Sequence, residues 1–328
     1  MLSYQHAYHA GNHADIIKHL VLSYVINYLN KKPAPYTFFD THSGSGLYDL
    51  LDSRSLKTGE AECGIRSLLD SIQTNGIFAA SDSNKNSASN SSFASNSETI
   101  LPSALKAYLE LVDPYIQKKY YPGSPEIERT LLRKSDFLVL SELHPVEVEN
   151  LKSNIQKNPF IKKLDECHIQ VHKRSGWEML TALTPPKTKR GAVLIDPSYE
   201  ELSDYNDACI TIHSVLKKWS SGIIMLWYPL LNYRLTEIQQ MLDKIIFDAK
   251  AINPNIEYTD VRLEVFEKDS HKETSLEQMD KKNPPRLYGS GILVLNAPWL
   301  LKENAQESVE FLTSFFRKKN HEFSEKDV

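Results

Sequence analysis

The stretch "VLIDPSYE", residues 193–200, runs from an apolar segment straight into Asp196, Pro197, Ser198 and Tyr199. No nucleophile paired with a base, cysteine pair or HExxH helix accompanies it, so the chemistry it suits is one in which another molecule brings the reactive carbon. The exocyclic amine of adenine is a poor nucleophile because its lone pair is delocalised into the ring. A carboxylate and a backbone carbonyl that accept its two N–H bonds would aim the nitrogen and favour the charge that develops on transfer. Asp196 and the carbonyl of Pro197 fit those two roles, and the fixed φ of proline helps aim that carbonyl. Tyr199 could stack on a base withdrawn from its own stack. The same residues also suit a plain strand-end turn in which Asp196 caps the next helix and Tyr199 belongs to the core. These four residues alone leave both readings open.

Such a site needs a sheet to present it. Short β-rich runs recur at 36–40, 137–142, 168–173, 191–196, 222–228, 259–266 and 291–296, with helical-period segments between most of them. Several are apolar throughout, as strands covered on both faces should be, and the pattern predicts a doubly wound, mostly parallel α/β sheet. A helix is expected from about Ala14 to Leu29, ahead of the first strand. Between Tyr48 and Tyr120 no strand signal appears, while segments at 60–72 and 101–120 look helical. The expected organisation is therefore a main domain of residues 1–48 and 120–328, interrupted by a helical insertion at 49–119. Within the insertion, residues 81–97 are mostly serine and asparagine, a composition expected to give a disordered loop.

Ligands of open α/β sheets bind beyond the carboxyl ends of the strands. After the first strand, "DTHSGSGLY" offers Gly44 and Gly46 for a tight turn, which suits either a cofactor loop or an ordinary strand–helix connection. Glu142, at the end of "FLVLSE", stands where an acid can accept hydrogen bonds from ribose hydroxyls, and "RSGWE" at 174–178 is a small-residue turn that could admit an adenine edge. The first loop lacks full GxGxxG spacing and no P-loop lysine motif occurs, so a single-nucleoside cofactor such as S-adenosylmethionine suits the chain better than a dinucleotide.

Composition narrows the classes further. The 328 residues are 41% hydrophobic and 24% charged with a formal net charge of −4, ordinary for a globular chain and without a global basic signature. Any nucleic-acid contact would use a local patch such as Lys187, Lys189 and Arg190. Three separated cysteines argue against a disulfide framework and fit a reducing, cytoplasmic setting, and no apolar run is long enough to span a bilayer. His6, His9, His13 and His19 cluster near the start, but without a carboxylate–histidine pattern no metal is expected there.

"DPSY" resembles the (D/N)PP(Y/F) signature of amino-group methyltransferases. The N-terminal block "MLSYQHAYHAGNHADIIKH" resembles the start of the bacterial 23S ribosomal RNA adenine-N6 methyltransferase J family. Further blocks in the same order are "DTHSGSGLY", "TGE" at 58–60, "YYPGSP" at 120–125, "SELHP" at 141–145, "RGAVLIDPSYE", "LWYP" at 226–229 and "GSGILVLNAPW" at 289–299. The resemblance implies a Rossmann-like class I methyltransferase with a seven-stranded sheet. It implies S-adenosyl-L-methionine as cofactor and 23S rRNA, before full ribosomal protein assembly, as partner. By the same resemblance, cofactor contacts fall on His19, His42, Ser124, Glu142, Ser175, Gly176 and Asp196, with Asp196 also the proton acceptor; Gly44 joins them as the cofactor-loop glycine of the turn after the first strand. Tyr4 falls on an RNA-contacting tyrosine, and His6 and Lys18 act near the target base. Two positions depart from the family pattern: Ser198 stands where a second proline is usual, and Ser175 where an acid is usual. The competing readings are a DNA adenine-N6 methyltransferase, and a non-catalytic nucleic-acid-binding protein linked to use of external DNA.

Overall fold

The structure is a computed structural model that describes residues 4–74, 101–157, 160, 168–266 and 287–324. The Ser/Asn-rich segment 81–97 lies outside the described residues. Seven strands form one sheet: β1 (Thr37–Asp40), β4 (Phe137–Ser141), β5 (His168–His172), β6 (Gly191–Ile195), β7 (Ile223–Leu230), β8 (Tyr258–Glu264) and β9 (Gly289–Leu295), in the spatial order β5-β4-β1-β6-β7-β9-β8. The β5, β4, β1, β6 and β7 strands run parallel to one another, while β9 runs antiparallel to both β7 and β8. All seven coincide with the runs expected from the sequence. The chain winds from β1 out to β5 and returns to β6 on the other side of β1, so the carboxyl ends of β1 and β6 flank the switch point where such sheets bind ligands.

Alternation along each strand divides the apolar residues between two layers. Phe38, Leu138, Leu140, Ala192 and Leu194 face one core, and Phe39, Val139, Val193 and Ile195 face the other. The first layer is covered by α1 (His13–Asn30), α4 (Ser103–Gln117) and α10 (Leu301–Ser324). The second is covered by α7 (Gly176–Leu183), α8 (Ser203–Lys218) and α9 (Leu235–Ile252). With the sheet on one side and α4, α5 (Ser124–Leu131) and α10 against its other flanks, α1 is buried nearly all round. Asn12 caps it, its side chain accepting from the Asp15 N–H at 2.9 Å.

The insertion enters and leaves through a small antiparallel ribbon that the sequence did not announce, β2 (Leu47–Asp49) against β3 (Tyr120–Pro122). Inside it lie α2 (Ser53–Thr58), a π-helical turn at Glu62–Arg66, α3 (Ser67–Thr74) and α4. Leu105, Tyr108, Leu109 and Val112 of α4 join the same apolar cluster as α1 and the sheet. The described part of segment 49–119 thus shares the main core instead of building one of its own.

Because α1 is clamped on several sides, its apolar side chains have little room to relax. Ile17, fully buried in that seam, is expected on truncation to alanine to lose about 2–5 kcal/mol of unfolding free energy. Denaturant titration with an unchanged m-value would check it.

Candidate active site

A helix buried on all sides tolerates charge only in pairs. Asp15 and Lys18 of α1 obey this: Lys18 Nζ lies 2.8 Å from Asp15 Oδ1 and 2.7 Å from Asp196 Oδ2, just past the end of β6. The second oxygen of Asp15 accepts from the Gly11 N–H and from His6 Nε2, each at 2.9 Å. His6 Nδ1 in turn lies 2.9 Å from the Tyr4 hydroxyl. A continuous polar chain, Tyr4–His6–Asp15–Lys18–Asp196, therefore ties the N-terminal arm to the strand end. Burial opposes the charge on Lys18, but the two carboxylates outweigh it and hold its pKa above the ordinary lysine value. Burial likewise opposes ionisation of Asp15, and His6, Lys18 and His19 reverse it, holding that carboxyl well below the usual range. The Asp196 side chain is still 15% exposed.

On the β1 side of the switch point, the loop 41–46 wraps back over the strand end. Gly44, at φ +57°, donates its N–H to Glu142 Oε2 at 2.8 Å, and the His144 N–H donates to Oε1 at 2.7 Å. Glu142 is thus oriented by two backbone donors while remaining partly exposed, and burial pushes its pKa up. Gly176 opens α7 against this loop, where a Cβ would stand 2.1 Å from the Thr41 carbonyl oxygen, so only glycine allows the approach. Beside it, the half-buried Trp177 ring meets His42 edge-on at 5.0 Å, and burial lowers the His42 pKa to about 4, leaving a neutral imidazole. Ser175 stands partly exposed at the same turn. His42, Gly44, Glu142, Ser175 and Gly176 therefore lie together past the carboxyl ends of β1, β4 and β5.

Two expected cofactor contacts sit differently. His19 is 1% exposed, its Nδ1 paired with the Tyr121 hydroxyl at 2.8 Å, which in turn meets Tyr108 at 3.1 Å. Burial lowers its pKa to about 3, so it is a neutral ring buried in α1 and not a side chain open to a ligand. Ser124, also buried, donates its hydroxyl to Asp40 Oδ2 at 2.7 Å.

Tyr199 takes the second of the two readings left open by its sequence. Its backbone turns through a left-handed φ of +54°, its ring packs against Tyr205 and Trp227, and its hydroxyl donates to the Trp227 carbonyl at 2.9 Å. With the side chain buried in the second core, the ring does not present an open stacking face here; it anchors the loop that carries Asp196 and Pro197. Ser198 projects into solvent. Among residues not singled out from sequence, Asp15, Asp40, Trp177 and Trp227 complete the site. The indole of Trp227 lies under the Lys18 ammonium, 5.7 Å from ring centroid to Nζ. Their only sequence signal was a position inside or beside the blocks that carry the resemblance.

Two substitutions probe this construction. Lys18→Met leaves Asp15 buried without its lysine partner and should lower stability by about 3–5 kcal/mol, most of which Asp15→Asn in the same chain should restore in a denaturation assay. Tyr199→Phe strands the Trp227 carbonyl and should cost about 1–3 kcal/mol in the same assay; an unchanged midpoint would remove the anchoring role.

A family model described as "Ribosomal RNA large subunit methyltransferase D, RlmJ" matches residues 93–325. Ribosomal RNA large subunit methyltransferase J of Escherichia coli strain K12 is 33% identical over 317 residues, covering 96% of this chain and 94% of that one. The protein of the same name from Haemophilus influenzae is 31% identical over 317 residues, covering 95% and 93%. Among solved structures, that of a Legionella pneumophila protein superposes with a TM-score of 0.67 at 27% identity, covering 94% of each chain. With an Asp196 end to β6, a glycine loop after β1 and near-complete coverage by these relatives, the chain belongs to the RlmJ family of ribosomal RNA large subunit methyltransferases.

Proposed function

We propose that this protein transfers a methyl group from S-adenosyl-L-methionine to the exocyclic N6 of an adenine in 23S ribosomal RNA. The observation that carries the reading is the Lys18–Asp196 pair at the carboxyl end of β6, beside the backbone of Pro197 and next to the glycine loop after β1. The residues present fit the cofactor: Glu142 can accept from ribose hydroxyls, Trp177 and His42 offer an aromatic wall for adenine, and Gly176 keeps that wall close to the loop. Bound there, the sulfonium would supply the electrophilic methyl carbon.

The chain's own residues do the positioning. Asp196 and the Pro197 carbonyl accept the two N–H bonds of the target amine, which fixes the nitrogen and stabilises the positive charge it gains. Lys18 holds Asp196 Oδ2 and so sets the direction in which the carboxylate faces. Asp196 is then the acceptor for the proton that the methylated amine sheds. Tyr4, 38% exposed and stacked on His9 at 5.7 Å, offers the RNA an aromatic surface at the mouth of the site, with His6 behind it. The base must leave its own stack to reach the site, which suits RNA not yet covered by ribosomal proteins and hence the cytoplasm, where ribosomes assemble. No described helix is long and apolar enough to cross a membrane. Residues 1–48 and 120–328 form the catalytic unit in this reading, and 49–119 is an insertion docked on it. The intact Lys18–Asp196 pair gives no support to a non-catalytic role.

Asp196→Ala should reduce methyl transfer by about 100- to 1000-fold while the protein stays folded. Labelled cofactor and a protein-free 23S transcript, followed by digestion and identification of the methylated nucleoside, provide the measurement. Activity above about a tenth of wild type would remove Asp196 from the mechanism, and label found only in DNA would replace the substrate.

A further inference from the structure

Helix α5 places Ser124 and Glu128 one turn apart, on the same face. Ser124 donates to Asp40 Oδ2, and Glu128, one turn further along the same face, is coupled electrostatically to the same carboxyl. Glu128 is completely buried, and neither of its carboxyl oxygens has a hydrogen-bond donor facing it among the described residues. Asp40 is equally buried, but it has donors: the Ser124 hydroxyl on Oδ2 and the His42 N–H on Oδ1, 3.1 Å away. Two facing acids sealed from water cannot both carry charge. The one with donors keeps the charge, and the one without keeps the proton.

We infer that Glu128 is a protonated positioning residue whose acid O–H donates to Asp40, completing the set of hydrogen bonds through which Asp40 holds the loop after β1 against the start of α5. The other charges facing this cluster are Asp196, from the end of β6, and Lys18, from α1. Burial first, and then Asp40, hold the Glu128 pKa well above the usual carboxylate range; burial raises that of Asp40 to about 6. The consequence for the cofactor rests on the proposed function: Asp40 fixes the backbone of His42 and the side chain of Ser124, so the site keeps its shape only while Asp40 keeps its partners.

The sign of the pH effect follows from linkage. An unfolded Glu128 releases its proton near pH 4.5 and the folded one retains it, so the folded state loses ground steadily as pH rises above that value. Glu128→Gln keeps a donor for Asp40 and has no proton to lose. Its thermal midpoint should exceed that of wild type by a margin that widens from about pH 5 to about pH 8, with affinity for S-adenosylmethionine by calorimetry within about threefold of wild type. Glu128→Leu, which has no donor, should weaken that affinity by about tenfold or more. A margin that stays flat with pH, or leucine binding as tightly as wild type, overturns the inference. If the leucine variant does not fold, the glutamine series alone decides. If wild type fails to bind S-adenosylmethionine while the margin still widens with pH, the methyl-donor reading falls and the buried proton stands.

Discussion

The site turns on one ammonium group. Lys18 is the cation between Asp15, inside α1, and Asp196, at the end of β6, and both links are shorter than 3 Å. Without it, the first layer of helices and the central sheet would meet across two buried like charges. With it, the helix that covers the sheet is also registered to the end of β6. The arrangement reaches further out: Asp15 shares its other oxygen with Gly11 and His6, and His6 holds Tyr4. The N-terminal arm is thereby connected to Asp196 at the end of β6. Buried ion pairs seldom add stability over apolar packing, so this one is better understood as specifying where α1 and the arm stand relative to β6.

Neutral histidines belong to the same logic. His19 is enclosed and His42 half-buried, and burial keeps both uncharged at neutral pH. The charge balance at the strand ends is then left to Asp40, Glu142 and Asp196 against Lys18.

The sheet was legible because strands covered on both faces must be apolar along their length, and the runs at 137–142 and 191–196 show that without ambiguity. The β2–β3 ribbon was not legible: "LYD" and "YYP" are too short to show a period, and one of them contains a proline. In the site, Asp196 and the glycine loop could be found from local order, since strand-end position is a one-dimensional property. What could not be found is which polar residues of α1 face inward. Asp15 and His19 look like ordinary surface residues of a helix start until α4, α5 and α10 close around them. Tyr199 shows the same limit, because its spacing from Asp196 suits a stacking ring or a core ring equally well. The left-handed turn at that residue and the Trp227 carbonyl decide for the core.

The ribbon has a consequence for how this architecture can vary. Leu47 pairs with Pro122 and Asp49 with Tyr120, so the chain leaves the glycine loop and returns to α5 through two points one strand-spacing apart. Such a clasp fixes where the intervening chain leaves the main sheet and where it rejoins it. Extending a closed loop twofold raises its closure entropy by only about 0.6 kcal/mol, provided that the anchoring residues of α4 remain docked. A change of length within 49–119 that leaves those residues docked would then shift neither Asp40 nor Ser124, nor the register of any strand in the main sheet.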